Sequence, residues 1–248
     1  MNSHFKYLIQ PIPEGEAVTG HELEVQLLKT LDASKGTCLD SLRMLAMLYQ
    51  MSGHLERSIE CIQQRNDLLE DPEELAAGYM SLGQLEETKR DYAAASKHYR
   101  RALSLEPCST ETWYFIHNNL GYSLYQLGDG ISAIPFLRKA IEIDSNRPNA
   151  FKNLGLAVES IGEHEQAAEL FISATIVDAS DGRSLKHLDE LLEAQPILEI
   201  DFPDLRKRVE ECRKMVEFAS QQQPNLAAEW ARQRKIQKRK WWQFWKRS

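Results

Sequence analysis

Seven histidines and four cysteines are scattered through 248 residues, and none of their spacings makes a reactive site. The stretch GEHEQAAEL sets His164 beside Glu165, but no second histidine follows four residues on. The zinc-binding pair of a metalloprotease helix is therefore missing. No G-x-x-x-x-G-K-[ST] or G-x-G-x-x-G phosphate loop stands before a helix, and no G-x-S-x-G nucleophile turn occurs. Cys38, Cys61, Cys108 and Cys212 lie far apart and form no CxxC pair, so free, buried thiols in a reducing compartment are expected. His117, His164 and His187 read as surface or groove side chains. The expectation is a protein with no catalytic residue, no metal and no cofactor.

The residues that do suggest chemistry suggest binding. The stretch KRKWWQFWKRS sets Trp241, Trp242, Phe244 and Trp245 between Lys238, Arg239, Lys240 and Lys246, Arg247. Eight Lys/Arg and no acid lie between Ala231 and Ser248. Setting those eight aside from the formal net charge of −7 leaves −15 on residues 1–230. Tryptophan favours the bilayer interface, and each Lys or Arg gains about 1 kcal/mol near anionic lipid. An anionic membrane surface is the first expected partner. A protein groove, of the same or another copy, is the second. Single-stranded nucleic acid is a third and disfavoured one, because the body is acidic. A lipid-binding tail implies a cytoplasmic protein, peripheral at the inner face of a membrane. The start of the chain has no signal-peptide pattern, and no run of 18 apolar residues occurs.

The body that must carry these groups is repetitive. Segments starting at Tyr79, His117 and Phe151 align without gaps. Each has Leu-Gly at one place: Leu82-Gly83, Leu120-Gly121 and Leu154-Gly155. Twelve residues on comes a small residue, Ala95, Ala133 or Ala167, and seven further a second, Ala102, Ala140 or Ala174. A bulky residue sits between them: Tyr99, Leu137 or Phe171. This spacing describes two amphipathic helices joined by a tight turn, with Gly letting the first approach the second closely. Gly128 and Gly162 fall in the turns, where positive φ is needed. A weaker copy holds Leu45, Ala46, Tyr49, Gly53 and Ser58 in register.

The 34-residue period and the small, bulky, small pattern resemble the tetratricopeptide repeat family. The resemblance implies an all-α, right-handed α-solenoid of helix-turn-helix repeats with a C-terminal helical extension. The expected organisation is a flexible segment 1–20, a helix 21–38, a degenerate repeat 39–72 and repeats 76–109, 114–147 and 148–181. A capping helix 182–194, a helix 201–222 and the basic aromatic tail 225–248 follow.

In this family the first helix of each repeat lines a concave face. That assigns to the face Phe115, Asn118, Asn119, Tyr122 and Tyr125, then Asn149, Lys152 and Asn153, then Arg183, Lys186 and His187, with Leu156 and Glu159 on the same side. Asn119 and Asn153 look like two rungs of an asparagine ladder that bonds a peptide backbone, with Ser81 and His187 interrupting it on either side. Phe115, Tyr122 and Tyr125 form an aromatic patch, and Lys152, Arg183 and Lys186 a basic corner. The implied function is a non-catalytic scaffold or adaptor that grips a peptide or helix of a partner protein. The alternative is a regulatory or co-chaperone-like repeat protein whose tail docks in its own or another copy's groove. Oligomers are compatible with that alternative.

Overall fold

The three Leu-Gly sites explain how the helices pair. In the computed structural model, which describes residues 20–221, a Cβ added to Gly83 would lie 2.4 Å from the Tyr99 ring. One added to Gly121 would lie 2.5 Å from Leu137, and one on Gly155 2.6 Å from Phe171. Tyr99, Leu137 and Phe171 are fully buried, as are the six alanines that flank them in sequence. Each hairpin thus closes by pressing one large side chain of the second helix onto bare backbone of the first. The alanines keep the second helix thin, so its neighbours reach close-packed contact.

Among the described residues every regular element is a helix. They are α1 (Gly20–Ala33), α2 (Leu39–Met51), α3 (Leu55–Asn66), α4 (Pro72–Thr88), α5 (Tyr92–Leu103), α6 (Thr110–Gln126), α7 (Gly130–Ile143), α8 (Pro148–Glu159), α9 (His164–Val177), α10 (Arg183–Ala194), α11 (Leu198–Asp201) and α12 (residues 203–221). The hairpins α2–α3, α4–α5, α6–α7 and α8–α9 follow the repeat pattern. Contacts divide the chain between Thr112 and Trp113, inside α6, into two units.

In the first unit, both helices of the α4–α5 hairpin are capped by aspartates. The Asp91 carboxylate accepts from the Ala94 N–H, and Asp71 accepts from Glu73 and Glu74. The turn before Asp91 places Arg90 at φ +62°, a conformation that is uphill by roughly 1–2 kcal/mol for a residue with a Cβ. In the degenerate copy, Ser58 Oγ donates to the Ala46 carbonyl at 2.8 Å, a polar contact between its two helices. The longer connection after α5 is pinned by Glu73. Its carboxylate accepts from the N–H groups of Cys108 (2.6 Å) and Ser109 (3.3 Å) and from the Thr112 hydroxyl (3.0 Å).

In the second unit, the equivalent turns use glycine, with Gly128 at φ +81° and Gly162 at φ +88°. Asp129 caps α7 through the Ser132 N–H, whereas Glu163 makes no side-chain cap at α9. Pro135 is accommodated inside α7. Beyond the repeats, Leu185, Leu188, Leu191 and Leu192 of α10 are buried, together with Leu205, Val209 and Cys212 of α12. Arg213 of α12 pairs with Asp189 of α10 at 2.7 Å, and Arg208 forms a bidentate pair with Glu169 of α9.

Three expectations change. The thiols are unbridged, but only Cys212 is buried: Cys38 and Cys61 are half-buried and Cys108 is exposed. The spacing of Leu205, Val209, Cys212, Met215, Val216 and Phe218 predicts one apolar stripe along the helix 201–222, but Phe218 is 65% exposed, because the buried seam ends before it. His117 is buried rather than on a surface or groove. Its Nδ1 lies 2.8 Å from the Trp113 carbonyl and its ring packs at 5.0 Å on the Trp113 indole.

Candidate functional site

Helices α6, α8 and α10 are the first helices of successive pairs, and their side chains meet on one face of the second unit. The link between α6 and α8 is a relay of amides. Asn153 Nδ2 donates to Asn118 Oδ1 at 3.0 Å, and Asn118 Nδ2 donates to Asn119 Oδ1 at 2.9 Å. Asn118 and Asn153 are buried, and only Asn119 reaches the half-exposed surface. The two amides expected as parallel rungs are thus joined through a third, and the chain ends outward at Asn119. A buried amide left without a partner is penalised by about 1–3 kcal/mol, so the relay holds α6 against α8 as much as it displays a donor.

The aromatic patch is part covered and part open. Phe115 is half-buried under the Arg147 guanidinium, which lies 4.8 Å from its ring centre and 4.9 Å from that of Tyr114. Arg147 is steadied by Asp144, whose carboxyl accepts from Nε at 2.8 Å and is held below the usual carboxylate range by that bond. Tyr122 and Tyr125 are half-buried, with ring centres 6.5 Å apart. Burial raises the Tyr125 phenol, and the nearby Glu159 carboxylate raises it further.

The basic corner is largely neutralised. Arg183 makes a forked pair with Asp181, Nη2 to Oδ2 at 2.6 Å and Nε to Oδ1 at 2.7 Å. Lys186 is exposed and pairs with Glu190 at 3.5 Å, and Glu190 also lies 3.4 Å from His187. His187 is half-buried and stacks on the buried Phe171 ring at 5.6 Å. Burial lowers its pKa, against the pull of Glu190. Asn149 is exposed at the start of α8.

Lys152 and Glu159 differ from the rest. Both are half-buried on α8, and neither makes an ion pair among the described residues. Burial lowers the Lys152 ammonium, and the charge of Arg183 lowers it further while Asp181 opposes. Burial raises the Glu159 carboxyl, with Glu190 adding to the rise and His164 opposing it. Burial without an ion pair disfavours the charged form of each group.

Sequence reasoning gathered the face but missed its internal partners, Arg147, Asp144, Asp181 and Glu190. Two signals were available: Asp144 precedes Arg147 by three residues, and Asp181 precedes Arg183 by two. The tail residues Lys238, Arg239, Lys240, Trp241, Trp242, Phe244, Trp245, Lys246 and Arg247 lie outside the described residues. No cluster of three or more His, Cys, Asp or Glu fit to hold a metal occurs among the described residues.

The tetratricopeptide repeat family matches residues 76–107 and 116–147. Tetratricopeptide repeat protein 7A of Homo sapiens is 29% identical over 166 residues, covering 66% of this chain and 18% of that protein. The chain spans less than half the length of the curated relatives it matches, from 16% to 41%. Among solved structures, MamA from residue 41 onward of Desulfovibrio magneticus RS-1 has a TM-score of 0.58 at 18% identity, over 74% of this chain and 96% of that one. YrrB, described as a TPR protein with an unusual peptide-binding site, has a TM-score of 0.54 at 19% identity, over 78% of this chain and 91% of that one. At such identities the structures speak for the fold. The hairpin geometry and the matched segments agree: the chain carries tetratricopeptide repeats at residues 76–107 and 116–147, and its fold is the all-α solenoid of these structural neighbours.

Proposed function

We propose that this protein is a non-catalytic adaptor that holds a segment of a partner protein against the face formed by α6, α8 and α10. Protein–protein interaction is the general role of the repeat family. The observation that carries the specific reading is the row of half-exposed side chains left over by packing: Asn119, Tyr125, Lys152, Leu156 and Glu159. Aromatic and apolar groups bordered by charge are the composition of a recognition surface. The peptide-binding description of YrrB supports a peptide ligand. The test is quantitative affinity capture with the wild-type chain, with Tyr125→Ala plus Leu156→Asp, and with the α9 control Ile176→Asp, each checked for an intact thermal transition. Partners should be lost with the double variant and kept with the control. Partners that survive the double variant would end this reading.

A second element rests on composition. The segment 225–248 supports peripheral attachment to an anionic lipid surface, which goes with a cytoplasmic protein at the inner face of a membrane. No helix among the described residues is long and apolar enough to cross a membrane. Flotation with anionic liposomes of the full chain and of a chain ending at Pro224 tests it. Only the full chain should float, and equal behaviour of the two rejects lipid in favour of docking of the segment on protein.

A further inference from the structure

Lys152 and Glu159 are seven residues apart on α8, so they lie on one side of the helix about 10.5 Å apart along its axis. Between them on that side is Leu156, half-buried, and Tyr125 of α6 approaches at the Glu159 end. The other charges of the face are already matched. Arg183 is bound by Asp181, Lys186 by Glu190, and Arg147 by Asp144 and two aromatic rings. Among the described residues of the face, Lys152 and Glu159 are the charges that make no ion pair, one on either side of an apolar patch. The titratable groups whose charge acts on Lys152 are Arg183, Asp181 and His187, and those coupled to Glu159 are Tyr125, His164 and Glu190.

The ligand's backbone form follows from Asn119. Its amide is the outward end of the relay from Asn153. A helical ligand has its backbone N–H and C=O groups already bonded, whereas an extended one offers them. In a polyproline II segment, residues three apart share a side and are about 9.3 Å apart, close to the Lys152–Glu159 spacing.

We infer that the face selects an extended, polyproline II-like peptide carrying an acidic and a basic side chain three residues apart, the acid on Lys152 and the base on Glu159, with the turn between them crossing Leu156. This rests on the reading that the face binds a partner segment, and adds the ligand's charge pattern. Two groups of opposite sign also disfavour ligands of uniform charge, since one end then meets repulsion.

The test uses the full chain and four fluorescent, proline-rich octapeptides that differ only at two positions three apart: Glu and Lys, Glu and Glu, Lys and Lys, or Gln and Gln. Fluorescence anisotropy should show the Glu/Lys peptide binding at least tenfold more tightly than the others. Lys152→Glu should move the preference to Lys/Lys, and Glu159→Lys should move it to Glu/Glu. Equal binding of all four peptides, unmoved by the swaps, overturns the charge pattern while leaving the face as a peptide site. Binding of none also overturns it, and the capture experiment with Tyr125→Ala plus Leu156→Asp then judges the underlying reading independently.

Discussion

The α4–α5 hairpin of the first unit and the α8–α9 hairpin of the second have the same interior and different surfaces. Inside, Gly83 faces Tyr99 as Gly155 faces Phe171, and alanines flank both rings. Outside, the groups of α4 already have partners within their own unit. Lys89 beyond its end reaches Glu86 at 3.1 Å and Glu56 at 3.3 Å. Ser81 donates to its own Ala77 carbonyl, and Tyr79 stacks on His98 beneath Arg101. On α8, Lys152 and Glu159 have no such partners. The difference teaches that the packing code leaves the first-helix surface free to vary, and that function is to be sought where its charges are left unmatched.

The shared interior can be broken first. Phe171→Ala and Tyr99→Ala should each lower unfolding free energy by about 3–5 kcal/mol in denaturant titrations. If only one of the two is that severe, the hairpins are not equivalent. Gly83→Ala and Gly155→Ala should each be destabilising by about 1–3 kcal/mol, because the new methyl must displace a buried ring. That loss runs against the gain of roughly 1 kcal/mol in helix propensity, so a stabilised variant would refute the close-approach argument.

The surface contrast is sharpened by two lysines. Lys152→Met should leave the thermal midpoint unchanged or raised, since it removes a half-buried unpaired charge, yet weaken ligand capture. Lys89→Met should lower the midpoint, since it removes two ion pairs. A smaller effect comes from histidine. Burial lowers the pKa of His117, with the Trp113 carbonyl opposing and Lys139 assisting. The unfolded chain then takes up the proton first, so stability present above pH 6.5 is lost as pH falls below it. The urea midpoint should drop between pH 7.5 and pH 5.5, and His117→Gln should reduce that drop. Smallest of all, Glu163→Asp should supply the missing cap of α9 and raise stability by about 0.5–1 kcal/mol. Asp91 and Asp129 already cap the equivalent helices.

The sequence alone determined the repeat architecture. Gly83, Ala95, Tyr99 and Ala102 recur at fixed separations because helix contacts within a hairpin depend on local spacing. The first-helix positions follow from the same periodicity, which is why Tyr125, Lys152 and Asn119 were legible as surface candidates. Only the tertiary structure decided what each candidate is bonded to. Asn153 reaches Asn118 across 35 residues, Arg147 folds over Phe115, and Arg183 turns back on Asp181. Such pairings depend on side-chain rotamers and on which helix packs alongside, and no periodicity in the chain encodes them. The same cause separates Lys152 and Glu159 from the neighbouring charges: among the described residues they make no ion pair, which appears only once the neighbours are in place.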